Sequence, residues 1–278
     1  MPLDAFVLAL GSAFLHALWN LILGRERDPE AATAVALVTS VVLFAPAALW
    51  HFDADAGVWR YVAVTSMLQL AYFATLAAAY RRADVSVVYP IARGLAPVLV
   101  LLVGVTVLGI GASLSQAVGV CLVGVGVLLV RGLGSGHADG RGVGAAFGVA
   151  VASCIAAYTL VDARGIEHAS PVVYLELVML PAAAGYIGIL LLTRSGPARV
   201  GAAARPLPAL AGVLSFVAYA LVLAALSRAP AAAVASVRET SVLIAAFLAA
   251  PLAGERVGPD RLARTALIVV GVAVIALT

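Results

Sequence analysis

From its first residues the chain alternates runs of about 20 apolar residues, the length a helix needs to cross a hydrocarbon core, with short clusters of charge, glycine and proline. The runs cover residues 3–23, 31–50, 58–79, 85–107, 112–130, 142–162, 171–192, 207–227, 231–252 and 260–278. Each can close its own backbone hydrogen bonds as a helix. The pattern therefore predicts an all-α polytopic membrane protein with ten transmembrane helices. The longest polar, glycine-rich stretch lies near the middle, from Arg131 to Arg141. It divides the chain into a first five-helix repeat (1–130), a linker (131–141) and a second five-helix repeat (142–278).

The two halves carry traces of a common pattern. A shift of 145 places lays Arg93 on Arg238, Gly109 on Gly254, Leu122 on Leu267 and the run from Val125 to Val127 on the run from Val270 to Val272. Similar but not identical shifts bring Trp19 near Tyr158 and Arg25 near Arg164. Five spans per half is an odd number, so two homologous halves must enter the bilayer in opposite senses. The arginines follow that inversion, because short cytoplasmic loops are enriched in basic residues. Loops one and three carry them in the first half (Arg25, Arg27, Arg81, Arg82), and loops two and four in the second (Arg194, Arg199, Arg205, Arg256, Arg261, Arg264). With Arg131 and Arg141 these put twelve arginines on one face, against Arg60, Arg164 and Arg228 on the other. The linker is then cytoplasmic and both termini lie outside.

Composition narrows the function. Hydrophobic residues make up 64% of the 278 and charged ones 11%, where a soluble domain has roughly a quarter charged. Ten spans leave no room for a soluble catalytic domain, and no catalytic, zinc or phosphate-loop spacing emerges, so neither enzyme activity nor a cofactor or metal is expected. All 17 basic residues are arginines, and the net charge of +3 describes loops at a lipid surface rather than a nucleic-acid partner. Cys121 and Cys154 sit inside apolar runs and read as packing residues. Asp4 is the one charge ahead of the first run, so the basic segment of a signal peptide is missing and that run reads as a retained helix.

The polar residues left inside the spans are the candidate chemistry, since a charge at mid-helix costs about 2.5–3.5 kcal/mol in the bilayer. Arg93 lies four residues after Tyr89, on one helical face with it. Pro90 and Pro97 flank it and predict a helix kinked or locally unwound there. Its mate Arg238 is followed by Glu239. Either Arg93 and Arg238 offer their forks to a carboxylate or phosphate substrate, with Glu239 and Glu176 as counter-charges or proton acceptors, or they form structural ion pairs with those acids. Ser12, His16, Trp19 and Asn20 make one stripe on the first helix, and Cys154, Tyr158 and Asp162 its counterpart on the sixth. Thr65, Gln69 and Tyr72 on the third and Ser215 and Tyr219 on the eighth extend the set. His16 has either a proton-coupling or ligand role or that of a histidine bonded between helices; Asp162 is a further proton or counter-charge candidate. Trp50 and Tyr80, near span ends, read as interface anchors. The fifth and tenth spans are almost purely aliphatic and should stand outside the cavity, as scaffold or as a homodimer surface. Gly140, Gly144 and Gly148 form a small-residue ladder permitting close helix contact.

Three stretches carry a resemblance to a known family: His16-Ala17-Leu18-Trp19-Asn20, the segment from Pro90 to Pro97, and Arg238-Glu239-Thr240-Ser241 with Gly254-Glu255-Arg256 further on. Together with the five-plus-five pattern they resemble the EamA family of the drug/metabolite transporter superfamily over essentially the whole chain. The sequence departs from that pattern at Gly109-Ile110, where family members often carry Gly-Glu, and at Val242, which stands opposite Pro97. The resemblance implies a secondary transporter in a bacterial inner membrane, with two inverted EamA-type repeats. Helices one to four and six to nine would surround a central cavity for a small-molecule substrate, such as an amino acid or organic anion, carried without ATP, usually outward. A lipid-linked-sugar flippase of the same superfamily and a non-transporting regulatory membrane protein are the alternatives.

Overall fold

The computed structural model describes every residue except 84, 132–137, 194, 254–258 and 278, and at 77, 80, 81, 85, 86, 130, 131, 138–141, 246, 249–253 and 259–265 it describes the backbone alone. The core of the expected linker, the Gly254-Glu255-Arg256 segment and the Tyr80 side chain thus lie outside the described residues. Among those described, twelve helices and no strand occur: α1 (Leu3–Leu23), α2 (Pro29–Trp50), α3 (Val58–Arg82), α4 (Val85–Thr106), α5 (Leu114–Arg131), α6 (Ala138–Gly165), α7 (Pro171–Leu191), α8 (Gly196–Ala203), α9 (Pro206–Leu226), α10 (Ala231–Arg238), α11 (Thr240–Ala253) and α12 (Pro259–Ala276). Six of them, α1, α2, α4, α6, α7 and α9, contain apolar stretches long enough to cross a membrane. α2 and α7 start alike, with a proline at the first helical position after Asp28 and Ser170, where the missing N–H costs nothing.

The exterior is apolar and the interior holds the polar groups. Leu3, Val7, Val42, Leu49, Met67, Leu102, Leu180, Ile189 and Leu207 are exposed, while Thr65, Gln69, Arg93, Asp162, Glu176, Arg238 and Glu239 are buried. Water would punish that distribution and hydrocarbon favours it. The chain is a polytopic membrane protein.

Helix packing repeats between the halves. α1 packs on α9 and α3 on α6; α1 packs on α10 and α11, and α4 on α6; α2 packs on α9, and α3 on α7. Each pair becomes the next when every long span is exchanged for the one five later, α10 and α11 counting as one. α5 and α12 pack on each other, with Gly119 and Gly271 so close that a Cβ on either would lie 2.9 or 2.7 Å from the other's carbonyl oxygen. The small-residue faces of these two helices are therefore used within the chain. Gly144 and Gly148 of the sixth-helix ladder face Val87 and Ile91 of α4.

One expectation about local structure changes. α4 runs unbroken through Pro90 and Pro97, because each proline removes a single donor and the remaining bonds carry the helix across. The interruption falls instead in its mate, between α10 and α11. There Glu239 N–H bonds the Ser236 carbonyl and Val242 N–H bonds that of Glu239, a tight three-residue spacing. Ser236 and Thr240 hydroxyls take the Ala232 and Val237 carbonyls, competing with the helix ladder. α8 is a two-turn helix in the connection between the runs 171–192 and 207–227.

Both ends of the bundle are tied across the halves. At one end Arg199 of α8 grips Asp28 with a fork (Nε–Oδ2 2.6 Å, Nη2–Oδ1 2.8 Å) and reaches Glu30 at 2.8 Å; Arg205 pairs with Glu26. Asp28 Oδ1 also caps α2 through Ala31 N–H. The hydrogen bonds from Arg199 hold the Asp28 carboxyl below the usual carboxylate range and push the guanidinium upward. At the other end His168 Nδ1 lies 3.0 Å from both Asp55 oxygens, and Ser170 N–H donates to Asp53. Asp55 is likewise lowered, chiefly by its bond with His168. Arg228 pairs with Asp4 at 3.1 Å, and the N-terminal amine meets the carbonyls of Ile275 and Ala276.

Candidate functional site

A cavity giving about 110 Å³ to the centres of water-sized molecules lies between the halves. Its walls come from α1, α2, α3, α4, α6, α7, α9 and α10, and α5 and α12 contribute nothing to it among the described residues. Of the sequence-predicted residues, His16, Trp19, Gln69, Tyr72, Arg93, Tyr158, Tyr219 and Arg238 line it, with Ser12 and Ser215. Helical periodicity explains the grouping: Ser12, His16 and Trp19 fall on one stripe of α1, as do Gln69 and Tyr72 on α3. Trp19 meets His16 edge to face at 4.9 Å. Tyr158 bridges Tyr72 and Tyr219 with centroid separations of 6.1 and 6.0 Å.

Besides Thr65 and Cys154, five predicted residues do not line the cavity. Asn20 turns back to donate to the His16 carbonyl at 2.7 Å. Tyr89 stands behind Arg93, whose guanidinium carbon is 6.0 Å from its ring centroid. Glu239 is 2% exposed and pairs with Arg93, Nε to Oε2, at 3.0 Å. The two atoms lack hydrogen-bond alignment with any partner, so the contact is an ion pair rather than a directed bond; Arg93 Nη2 also donates to Ser241 at 2.9 Å. Glu176 is buried on α7, whose Leu175 and Met179 reach the cavity instead. Its Oε2 has no hydrogen-bond partner among the described residues.

Asp162 is the fifth, and it is fully buried. Its Oδ1 accepts from Thr65 Oγ1 at 2.7 Å and Tyr174 OH at 2.8 Å, and Oδ2 accepts from Tyr219. Three hydroxyl donors satisfy a carboxylate that meets no cation within ion-pair distance among the described residues. Tyr219 belongs to both neighbourhoods: its hydroxyl bonds Asp162 while its ring lies 5.9 Å from the Arg238 guanidinium carbon. Arg238 sits beside Tyr158 as well and has no carboxylate within ion-pair distance among the described residues.

Sequence reasoning missed Tyr174. It stands four residues into its helix, where an aromatic reads as an interface anchor, and only the fold brings it to Asp162. The apolar lining of Leu37, Phe73, Met179 and Phe216 was missed for another reason: in a membrane chain these residues look the same whether they face lipid or a cavity. No group of three or more His, Cys, Asp or Glu that could hold a metal occurs among the described residues.

Comparison with known proteins agrees with this architecture. No curated protein matches the chain. Among solved structures 27 chains match. One crystal structure covers 98% of this chain and is itself covered to 98%, with a TM-score of 0.74 at 18% identity, which establishes a shared fold. The family model of the EamA-like transporters matches twice, over residues 4–132 and 142–277. Two such repeats account for nearly the whole sequence: the chain belongs to the EamA-like transporter family.

Proposed function

We propose that this protein is a secondary transporter that carries a small metabolite through the cavity between its two halves by alternating access, most simply outward. The observation that carries the reading is the placement of Arg93 and Arg238. These repeat-related cations are desolvated together on the wall of one cavity inside an apolar shell, a cost that a bilayer protein bears where charge meets substrate. Ten crossings in two inverted sets are supported by the cross-loop contacts. Residues 24–28 meet 192–205, and 51–57 meet 166–170, each pair lying on one face of a chain that crosses ten times. By the arginine bias the termini lie outside, in a bacterial inner membrane. Asp162, Glu176, Glu239 and His16 are the groups available for proton coupling. A homodimer through helices α5 and α12 would use their outward faces.

The test is transport by purified protein in sealed vesicles. Metabolites are first screened by thermal shift, since a ligand that binds only the folded state raises its stability. Hits are then followed as radiolabelled counterflow with and without a pH gradient. Counterflow that Arg238→Gln abolishes is the expected result. Absence of counterflow for every stabilising metabolite would overturn the transport reading, and insensitivity to the gradient would remove proton coupling.

A further inference from the structure

The charge on the cavity wall is one-sided, and that selects the substrate's chemistry if the cavity is the transport site, as proposed above. The charged side chains among its described lining residues are Arg93 and Arg238; no carboxylate lines it. Arg93 is already balanced by Glu239 at 3.0 Å. Arg238 is 5% exposed, forms no ion pair among the described residues, and its Nε lacks a hydrogen-bond partner there. The acids nearby are engaged or turned away. Asp162 is occupied by three hydroxyls, Glu239 by Arg93, and Glu176 lies off the wall. Two desolvated guanidiniums therefore share the field of Glu239, Arg238 has no carboxylate within ion-pair distance among the described residues, and a planar fork pairs best with a carboxylate.

The rest of the wall describes the rest of the ligand. Trp19, Tyr72, Phe73, Tyr158 and Phe216 give it aromatic faces, suited to a flat apolar body. The roughly 110 Å³ open to the centres of water-sized molecules limits the ligand to a small molecule. An ammonium entering this space gives up its hydration without gaining a carboxylate, and a dianion brings a second charge that the wall does not match.

We infer that the substrate is a small organic monocarboxylate with a flat apolar body and no cationic group, held by Arg238 against the aromatic wall. Amino acid zwitterions and amines of the same shape are rejected.

The experiment compares three probes that share a phenylethyl body: 3-phenylpropanoate, L-phenylalanine and 2-phenylethylammonium. Each is titrated at pH 7.4 into the wild-type protein in nanodiscs, by calorimetry and thermal shift. The expected order is phenylpropanoate at least tenfold tighter than phenylalanine, with no binding of the ammonium. In Arg238→Gln phenylpropanoate should weaken at least tenfold, and Arg238→Lys, which keeps charge but loses the fork, should fall between. If Arg238→Gln does not fold, the wild-type order and the lysine variant decide. Phenylalanine binding as tightly as phenylpropanoate, binding of the ammonium, or no binding of phenylpropanoate overturns the inference. Phenylalanine carried in counterflow would leave the transport reading standing while this one falls; phenylpropanoate bound but never carried would do the reverse.

Discussion

The buried pair between Arg93 and Glu239 gives the most direct measurement of what holds the two halves together. Glu239→Gln keeps the shape of the side chain and removes its charge. At 3.0 Å two unit charges attract by about 5–6 kcal/mol at an effective dielectric constant of about 20. Both side chains are desolvated, at 6% and 3% exposure, and the substitution returns none of the penalty already paid on Arg93. Breaking such a pair from one side costs about 3–5 kcal/mol. The hydrogen bond from Arg93 to Ser241 survives and keeps the loss toward the lower end. Reversible unfolding in mixed micelles, followed by tryptophan fluorescence, should show Glu239→Gln destabilised by about 3 kcal/mol. Replacing both partners by apolar residues, Arg93→Met with Glu239→Leu, should recover most of the loss, because no charge is then left unpaired. A single variant within about 1 kcal/mol of wild type would refute the reasoning, as would a double variant no better than the single one.

Four further outcomes follow from the packing and the loops. Asp162→Ala strands the hydroxyl of Tyr219 and leaves those of Thr65 and Tyr174 only each other, at 3.1 Å, and should cost about 1–3 kcal/mol for each donor left unsatisfied, whereas Asp162→Asn keeps an acceptor and should cost less in the same unfolding assay. Gly212→Ala places a Cβ 2.2 Å from the Ala36 carbonyl oxygen and should lose about 1–3 kcal/mol by overpacking α2 against α9. Its control Gly188→Ala, where the added carbon meets nothing within 4 Å, should gain up to about 1 kcal/mol from helix propensity. Asp28 has a folded-state pKa lowered by Arg199, so its stabilisation is present above the ordinary carboxylate range and is lost as pH falls through the lowered value. Melting temperature followed from pH 6 downward should therefore fall more steeply in wild type than in Arg199→Gln, and parallel curves would refute the assignment. The same sign applies to Asp55, so His168→Gln should flatten the acid limb at the opposite end.

Much of this architecture is written in apolar run length, and what is not shows where run length stops being informative. The helix starts at Leu3, Val58, Val85 and Pro171 coincide with the expected span starts, since a bilayer imposes one long period that few other contexts imitate. The pairing of Arg93 with Arg238 was readable from the 145-residue shift because both are charges in hydrocarbon. α8 was not, being too short and too polar to stand out, although Ser195 ahead of Gly196 and Pro197 is a helix-start signal. The break at Glu239 was not expected; the kink or unwinding was expected in α4, which stays helical through both prolines. Proline is the visible breaker in α4, whereas in the mate the work is done by Ser236 and Thr240, whose hydroxyls take carbonyls from the ladder. Which acid would partner which arginine was left open, since neighbours on one helix point about 100° apart and only the meeting of α4 with the break beyond α10 decides it.

The repeat also explains why the two ends of the bundle are alike in plan and unlike in chemistry. Exchanging each span for the one five later carries the connection 24–28 onto 166–170 and the connection 192–205 onto 51–57. The contact of Asp28 and Glu26 with Arg199 and Arg205 is thereby the structural counterpart of the contact of His168 and Ser170 with Asp55 and Asp53. Asp28 and Ser170 even hold the same place, immediately before Pro29 and Pro171. At one end the tie is a guanidinium fork on carboxylates, which stays charged throughout the physiological pH range. At the other it is an imidazole nitrogen 3.0 Å from both oxygens of a carboxylate. An inverted repeat by itself makes its two faces equivalent. Here the side chains at the loops remove that equivalence: one end is closed by guanidinium groups on carboxylates, and the other by an imidazole and a backbone N–H on carboxylates.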